Sequence, residues 1–174
     1  MTIVIQSFAD EYKRHRNYAE ETFSRVTEQQ YLQVLGDASI AMYAQHLGGN
    51  LRSRFTDFLT SDGEKPDRDR ETEFDLDRLT RAGSLEMWGV GWNTLEGTLR
   101  NLGDGDLGTT VKIRGLELTV AAALARSLAH TSYHVGQIVL LAKILVGQDW
   151  KSLSIPRGKS QQYNLNPNLE RPKC

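Results

Sequence analysis

Apolar residues recur every three or four positions along four long segments, the spacing of one face of an α-helix. The pattern predicts helices from Ile3 to about Gln30, from Ser39 to Phe58, from Asp77 to Leu102 and from Val120 to Val146. The hydroxyls of Ser39 and Thr119 are suited to cap the second and fourth helices, since they can accept hydrogen bonds from free backbone N–H groups. These segments predict an all-α fold, an antiparallel four-helix bundle.

The connections between the predicted helices differ in character. Residues Thr60–Phe74 are dense in charge and turn formers, which indicates a long polar loop whose charges are solvated. Thr109–Ile113 and Leu116–Thr119 alternate apolar and polar residues around Arg114-Gly115, which predicts a small β-hairpin before the last helix. After Gly147 a few apolar residues indicate an ordered C-terminal tail rather than a second domain, so residues 1–174 are expected to form one domain.

Two features inside the predicted helices also bear on packing and function. Gly48 and Gly49 each weaken a helix by about 1 kcal/mol relative to alanine, so we ask whether they admit a neighbouring helix or a ligand. Trp88 and Trp92, one turn apart, favour core packing over base stacking, because no basic residues interleave with them.

The composition narrows the classes of function. Of the 174 residues 39% are hydrophobic and 25% charged, and the net charge of −1 favours neither a nucleic-acid nor a membrane partner. The single cysteine, Cys174, excludes an internal disulfide. The sequence shows neither an N-terminal signal nor an apolar stretch of membrane-spanning length, so we expect a cytoplasmic protein.

His130 and His134 are the strongest chemical signal in the chain. They lie four residues apart in the last predicted helix, so their Cβ atoms are roughly 6 Å apart on one face and both imidazoles could bind one metal ion. Thr131 stands where a HExxH metalloprotease needs glutamate, which excludes that class. The competing interpretation is a pair of hydrogen-bonded core histidines, since His134 falls on the apolar seam of the helix.

A metal site needs at least one more protein ligand. His46 borders the apolar stripe of the second helix, Asp57 follows further along the same segment, and His15 lies in a basic run that reads as a solvated face. His46, His130 and His134 would form a three-nitrogen site that favours zinc, nickel, copper or iron over magnesium or calcium. Such a site leaves a coordination position open for water or substrate.

Three stretches together resemble a branch of unknown function within the DinB/YfiT-like superfamily of metalloenzymes. They are Gly49–Pro66 after His46, the His130-x-x-x-His134-Val-Gly-Gln-Ile motif, and Asp149–Ser160. The resemblance covers nearly the whole chain. It implies an antiparallel four-helix bundle, commonly homodimeric, with one divalent metal held by His46, His130 and His134.

The resemblance implies chemistry only broadly. Some relatives transfer low-molecular-weight thiols, so a thiol transferase or hydrolase using zinc or nickel and a small-molecule substrate is one hypothesis. The other is a non-catalytic bundle in which the metal stabilises the fold or serves a stress-related binding role, because no acid/base partner accompanies the histidines in the sequence. Tyr133 and Gln137 are assigned to helix packing rather than to substrate. Several basic residues could bind an anionic substrate, but we interpret them first as surface charges. They are Arg52, Arg54, Lys65, Arg157 and Lys159.

Overall fold

Six α-helices and one β-hairpin form most of the regular structure of residues 1–167, the part of the chain that the computed structural model describes. Cys174 lies outside the described residues. The helices are α1 (Ile3–Ser24), α2 (Glu28–Leu32), α3 (Ile40–Phe55), α4 (Arg81–Asn101), α5 (Val120–Val146) and α6 (Ser160–Asn164), and the strands are β1 (Thr110–Ile113) and β2 (Leu116–Thr119). Within residues 1–167, no helix has the length and apolar character needed to cross a membrane.

The first predicted helix is two helices in the structure. α1 ends at Ser24, and α2 begins after Thr27, whose hydroxyl accepts a hydrogen bond from Gln30 N at 3.2 Å. The Gln30 side-chain oxygen in turn accepts from Thr27 N at 2.9 Å. This reciprocal capping box gives α2 its own start, so the prediction of one helix reaching Gln30 was wrong.

The predicted N-caps of the second and fourth helices are confirmed. Ser39 accepts from Met42 N at 3.1 Å and Thr119 from Ala122 N at 3.1 Å. α3 ends at Phe55, earlier than predicted, and Asp57 just beyond it has a φ of 47°. That left-handed conformation does not continue a right-handed helix.

α3 and α4 approach closely through glycine. A Cβ on Gly48 would lie 2.7 Å from Trp88 N, and one on Gly91 would lie 2.7 Å from Gly48 Cα. Such contacts are too short for real side chains, so these two glycines allow one helix backbone to lie against the other. Trp88 and Trp92 of α4 are 2% and 0% exposed, which confirms them as core residues.

α5 packs against α1 and α3, which brings the helix with two histidines beside the helix with the third. The seam predicted for α5 is confirmed at its centre, because Leu124, Thr131 and Ile138 are each fully buried. Beyond α5, Trp150 packs against the core under the Arg25 guanidinium, whose Cζ lies 5.3 Å from the ring centroid. This contact anchors the start of the tail.

The predicted hairpin is confirmed, with antiparallel pairing from Thr110↔Thr119 to Ile113↔Leu116. Its two turn residues, Arg114 and Gly115, have φ values of 55° and 75°. Positive φ at both positions is what a two-residue type I′ hairpin turn requires. Asp62 accepts hydrogen bonds from the backbone N–H groups of both turn residues, at 2.8 and 2.7 Å. The polar segment after α3 is therefore attached to the hairpin.

Candidate metal centre

Three histidines converge where α3 and α5 face each other. His130 Nε2 lies 3.3 Å from His46 Nε2 and 3.2 Å from His134 Nε2. His46 and His134 are 3% and 9% exposed, and His130 is half-buried. The structure thus brings together all three residues that the sequence predicts as ligands, and this group could hold a metal ion.

The ring of His46 is oriented by a carboxylate. Its Nδ1 lies 2.8 Å from Oε2 of Glu73, in the short 3-10 turn Glu71–Phe74, and donates a hydrogen bond to it. That tautomer leaves Nε2 of His46 as a bare lone pair directed at the other histidines. A carboxylate behind a metal-binding imidazole fixes its tautomer and raises its basicity.

Glu73 is itself held from both sides. The Arg68 guanidinium donates to its two oxygens at 2.8 and 2.9 Å, and both side chains are about 5% exposed. Burial raises the pKa of Glu73, but the hydrogen bonds from His46 and Arg68 outweigh burial and leave that pKa below its usual value. Glu73 is therefore a carboxylate with both oxygens engaged.

Gly49 makes the room that Glu73 occupies. A Cβ built on Gly49 would collide with Oε1 of Glu73 and lie 2.9 Å from its Cδ. The two glycines of α3 thus serve different neighbours: Gly48 admits the α4 backbone, and Gly49 admits the carboxylate that orients His46.

His134 is oriented by a residue of its own helix. Its Nδ1 donates to Oε1 of Gln137 at 2.6 Å, which leaves its Nε2 as a second lone pair facing the cluster. Gln137, assigned from the sequence to helix packing, thus also orients a candidate ligand. Tyr133, beside it, is 65% exposed, with its ring centroid 5.0 Å from that of His134.

The three nitrogens cannot satisfy one another. With the tautomers of His46 and His134 fixed, a proton on Nε2 of His130 can be donated to only one of them, and Nδ1 of His130 is buried without a hydrogen-bond partner among the described residues. At least one buried lone pair is then left facing other acceptors, which is unfavourable. A cation at the point where the three nitrogens meet removes this conflict.

Burial and mutual repulsion keep two of the imidazoles neutral. Burial, with repulsion from His134 and His46 when those rings are protonated, lowers the pKa of His130 to about 3. Burial and repulsion from His46 when it is protonated lower the pKa of His134 to about 4, although the hydrogen bond that His134 donates to Gln137 opposes this shift. Both rings are deprotonated at neutral pH, as metal binding requires.

The spacing also fits a small metal ion. Nitrogens bound to zinc at 2.0–2.1 Å in tetrahedral arrangement are about 3.3 Å apart. The separations of His130 Nε2 from the Nε2 atoms of His46 and His134, 3.3 and 3.2 Å, match that value, and all three ligand atoms lie within 4.8 Å of one another. The donor set is all imidazole nitrogen, which suits zinc, nickel, copper or iron better than magnesium or calcium.

The histidines line a cavity of about 300 Å³ rather than a sealed core. Of the other candidate residues, Arg54 also lines this cavity, whereas Arg52, Asp57 and Lys65 line a neighbouring one of about 490 Å³. His15 binds Glu11 O and Ser132 Oγ on another part of the surface. Arg157 and Lys159 are exposed on the tail and do not line the histidine cavity.

Glu73 is the functional residue that sequence reasoning missed. It lies at the end of the segment predicted to be solvated, among alternating charges that give no periodic signal. Its partner Arg68 is in the same segment, so a buried ion pair there overturns the prediction for these two residues. The sequence feature that could have indicated a residue packed behind His46 was Gly49, a glycine three residues after His46 inside the helix.

Comparison with known proteins places the chain in a family. Searches of curated proteins and of solved structures found no match. The model of one family, described as "Protein of unknown function (DUF1572)", matches residues 2–159. With that match spanning nearly the whole sequence, the chain belongs to the DUF1572 family.

Proposed function

We propose that the chain binds one divalent transition metal ion, zinc or nickel, through the Nε2 atoms of His46, His130 and His134, and that it is a metal-dependent enzyme. The observation that carries the proposal is the convergence of three Nε2 atoms in the wall of a cavity, with Glu73 and Gln137 behind two of the rings. Structural metal sites are closed by four protein ligands, whereas catalytic ones keep a position open to the cavity.

We propose one of two reactions. The first is transfer of a low-molecular-weight thiol to a small-molecule substrate, and the second is hydrolysis of a small-molecule substrate. A divalent ion in this site would lower the pKa of a thiol or water and so supply the nucleophile at neutral pH. Glu73 is a positioning residue and not a general base, because both of its oxygens accept hydrogen bonds. Asn50 and Ser127 line the cavity beside the histidines and are placed to orient a substrate.

A second candidate is a non-catalytic bundle in which the metal stabilises the fold or serves a stress-related binding role. The observation that favours it is the absence of any carboxylate among the described residues that line the histidine cavity. A reaction that needs a general base from the protein would lack one there. Measuring whether the protein turns over a substrate therefore distinguishes the two candidate functions.

Metal analysis tests the site. Protein purified without chelator should carry close to one transition metal ion per chain, and His134→Ala should lose most of it. His15→Ala is the matched control, since its imidazole lies outside the cluster. A metal-free wild-type protein whose thermal stability does not respond to chelator would refute the proposal.

Activity assays separate the two candidates. The metal-loaded protein should consume an electrophilic substrate with one of several low-molecular-weight thiols, or hydrolyse an activated ester, and lose this activity after chelation. Metal-dependent stability without turnover in either assay would favour the non-catalytic candidate.

Three further predictions made from the sequence belong to this proposal, of which the homodimer rests on the resemblance. Residues 1–174 would form one domain, the four long helices would make an antiparallel bundle, and the protein would be a cytoplasmic homodimer. An apolar stripe on α5 supports the dimer: Tyr133, Leu140 and Ile144 share one helix face and are 65%, 56% and 59% exposed. Exposed apolar groups in one row are typical of an interface.

A further inference from the structure

The cavity that contains the histidines is lined by charges of one sign. Its described lining has five guanidinium groups and no carboxylate. The five are Arg54, Arg68, Arg70, Arg114 and Arg126. In a cavity with low-dielectric walls, charges of one sign add and attract an oppositely charged ligand.

Nearby carboxylates neutralise only part of this charge. Glu64 lies 3.0 Å from Arg54 Nη1 and 3.0 Å from Arg114 Nε, and Glu73 accepts from Arg68. These two carboxylates thus face three of the five arginines.

The remaining two arginines are available to a ligand. The only ion pair of Arg70 within residues 1–167 is with Glu71, at 3.3 Å, where the Glu71 side chain is 85% exposed and the pair is weak. The side chain of Arg126 makes no hydrogen bond or ion pair with any described residue.

One buried donor in the same lining lacks an acceptor. Nη1 of Arg68 is buried without a hydrogen-bond partner among the described residues, and lies 3.9 Å from Oε1 of Glu64. The Asn50 amide also makes no hydrogen bond within the same part of the chain, and because Asn50 is 9% exposed it keeps some access to the cavity. Buried donors without acceptors are unfavourable, and ligand oxygens would satisfy them.

The same cavity also has an apolar wall. Phe58, Phe74 and Ile113 line it, and the Arg70 guanidinium carbon lies 4.7 Å from the centroid of the Phe74 ring. That contact holds Arg70 at the boundary between the apolar wall and the charged part.

We propose that this cavity binds an organic anion, a carboxylate or phosphate on an apolar body, with Arg70 and Arg126 holding the anionic group. The inference deepens the proposed function, on which it rests, by naming the chemical class of the substrate held beside the histidines. Arg54 and Arg114 contribute to the field of the cavity, while Glu64 keeps them in place.

Three small probes test the charge requirement on metal-free protein at low ionic strength. Benzoate and phenyl phosphate carry an anion on an aromatic body, and benzamide is the neutral counterpart. Calorimetric titration should show binding of at least one anion and none of benzamide. Comparing the two anions distinguishes a carboxylate site from a phosphate site.

Variants locate the binding. Arg126→Gln and Arg70→Gln should each weaken binding of the anion roughly tenfold, as expected for loss of a charged hydrogen bond. Arg14→Gln is the matched control, because Arg14 pairs with Glu11 on α1 and does not line the cavity. Binding of neither anion, equal binding of benzamide, or unchanged affinity in both cavity variants would overturn the inference.

A separate zinc titration keeps the two proposals apart. Arg126→Gln should bind zinc like the wild type, because the Arg126 side chain makes no hydrogen bond with any of the three histidines. Failure to bind zinc with intact anion binding would refute the metal site alone. Intact zinc binding without arginine-dependent anion binding would refute only the substrate class.

Discussion

Nδ1 of His46 lies 2.8 Å from Oε2 of Glu73, although the two residues are 27 positions apart. The contact joins helix α3 to the end of the polar segment that follows it. It fixes the tautomer of one candidate ligand, and Arg68 holds the carboxylate in turn. The proposed metal site thus depends on residues that would not themselves touch the metal.

Glu73→Gln should therefore weaken zinc binding by about 10–100-fold, the usual effect of losing a residue that orients a metal ligand. The amide keeps the shape of the side chain but removes the charge that favours Nδ1–H of His46. Competition with a chromophoric chelator measures the affinity, and circular dichroism checks that the variant is folded.

The matched control is Glu71→Gln, in the same 3-10 turn but with its side chain 85% exposed. It should bind zinc with wild-type affinity. Equal affinity of the Glu73 and Glu71 variants would show that the carboxylate does not support the site.

The glycines of α3 give a second prediction, in which two adjacent substitutions have different effects. Gly49→Ala should weaken zinc binding, since its methyl would displace Glu73, and lower global stability less than Gly48→Ala. Gly48→Ala should lower the free energy of unfolding by several kcal/mol, because the methyl meets the α4 backbone, which cannot move as a side chain can.

Gly89→Ala is the control for both, because nothing lies within 4 Å of the added methyl. It should stabilise α4 by about 0.5–1 kcal/mol through helix propensity. Urea unfolding measures the free energies of unfolding, and competition with a chelator measures the zinc affinities. A Gly49→Ala variant that binds zinc normally would contradict the role given to Glu73.

The helical framework and the three histidines were predictable from the sequence because their signals are local and periodic. The apolar spacing marks α3, α4 and α5, and hydroxyl residues mark the starts of α3 and α5. The capping box of Thr27 and Gln30 was also readable, as a Thr-x-x-Gln pattern, and would have separated α2 from α1.

The environment of the histidines was not predictable in the same way. Nine of the twelve residues from Asp62 to Glu73 are charged, and nothing local distinguishes the buried pair Arg68 and Glu73 from exposed neighbours such as Glu71. Their burial follows from packing against α3 at Gly49, a contact distant in sequence. The five arginines of the cavity come from four separate segments, so no local pattern in the sequence shows that they meet.

Asp104 provides a prediction about pH. Its carboxylate accepts hydrogen bonds from Thr2 Oγ1, Val4 N and Ile5 N, at 2.6 to 3.1 Å, and so caps α1, for which Thr2 supplies no side-chain cap. These hydrogen bonds, that from Thr2 first, lower the pKa of Asp104 below its usual 3.8. A folded-state pKa below the unfolded one means that the contribution to stability is full above about pH 4 and is lost as the pH falls through the folded value.

Asp104→Ala should therefore unfold at a lower urea concentration than the wild type at pH 7, and the difference should shrink as the pH is lowered toward 3. Asp10→Ala, on the exposed face of α1 with a single hydrogen bond from Gln6, is the control and should change stability little. A difference between Asp104→Ala and wild type that is the same at every pH would contradict the linkage.

The apolar stripe on α5 leads to the prediction about assembly. If Tyr133, Leu140 and Ile144 form the homodimer interface, Leu140→Glu should make the protein monomeric, because each interface would bury two uncompensated carboxylates. Analytical ultracentrifugation at micromolar concentration measures the change.

Val90→Glu, on the exposed face of α4, is the control and should remain dimeric, since Val90 is 42% exposed and lies on a different helix. Leu140→Glu should also keep wild-type zinc affinity, because Leu140 points away from the core that holds His134 and Ile138. A wild-type protein that sediments as a monomer would exclude the homodimer. A dimer that survives Leu140→Glu would place the interface on another surface.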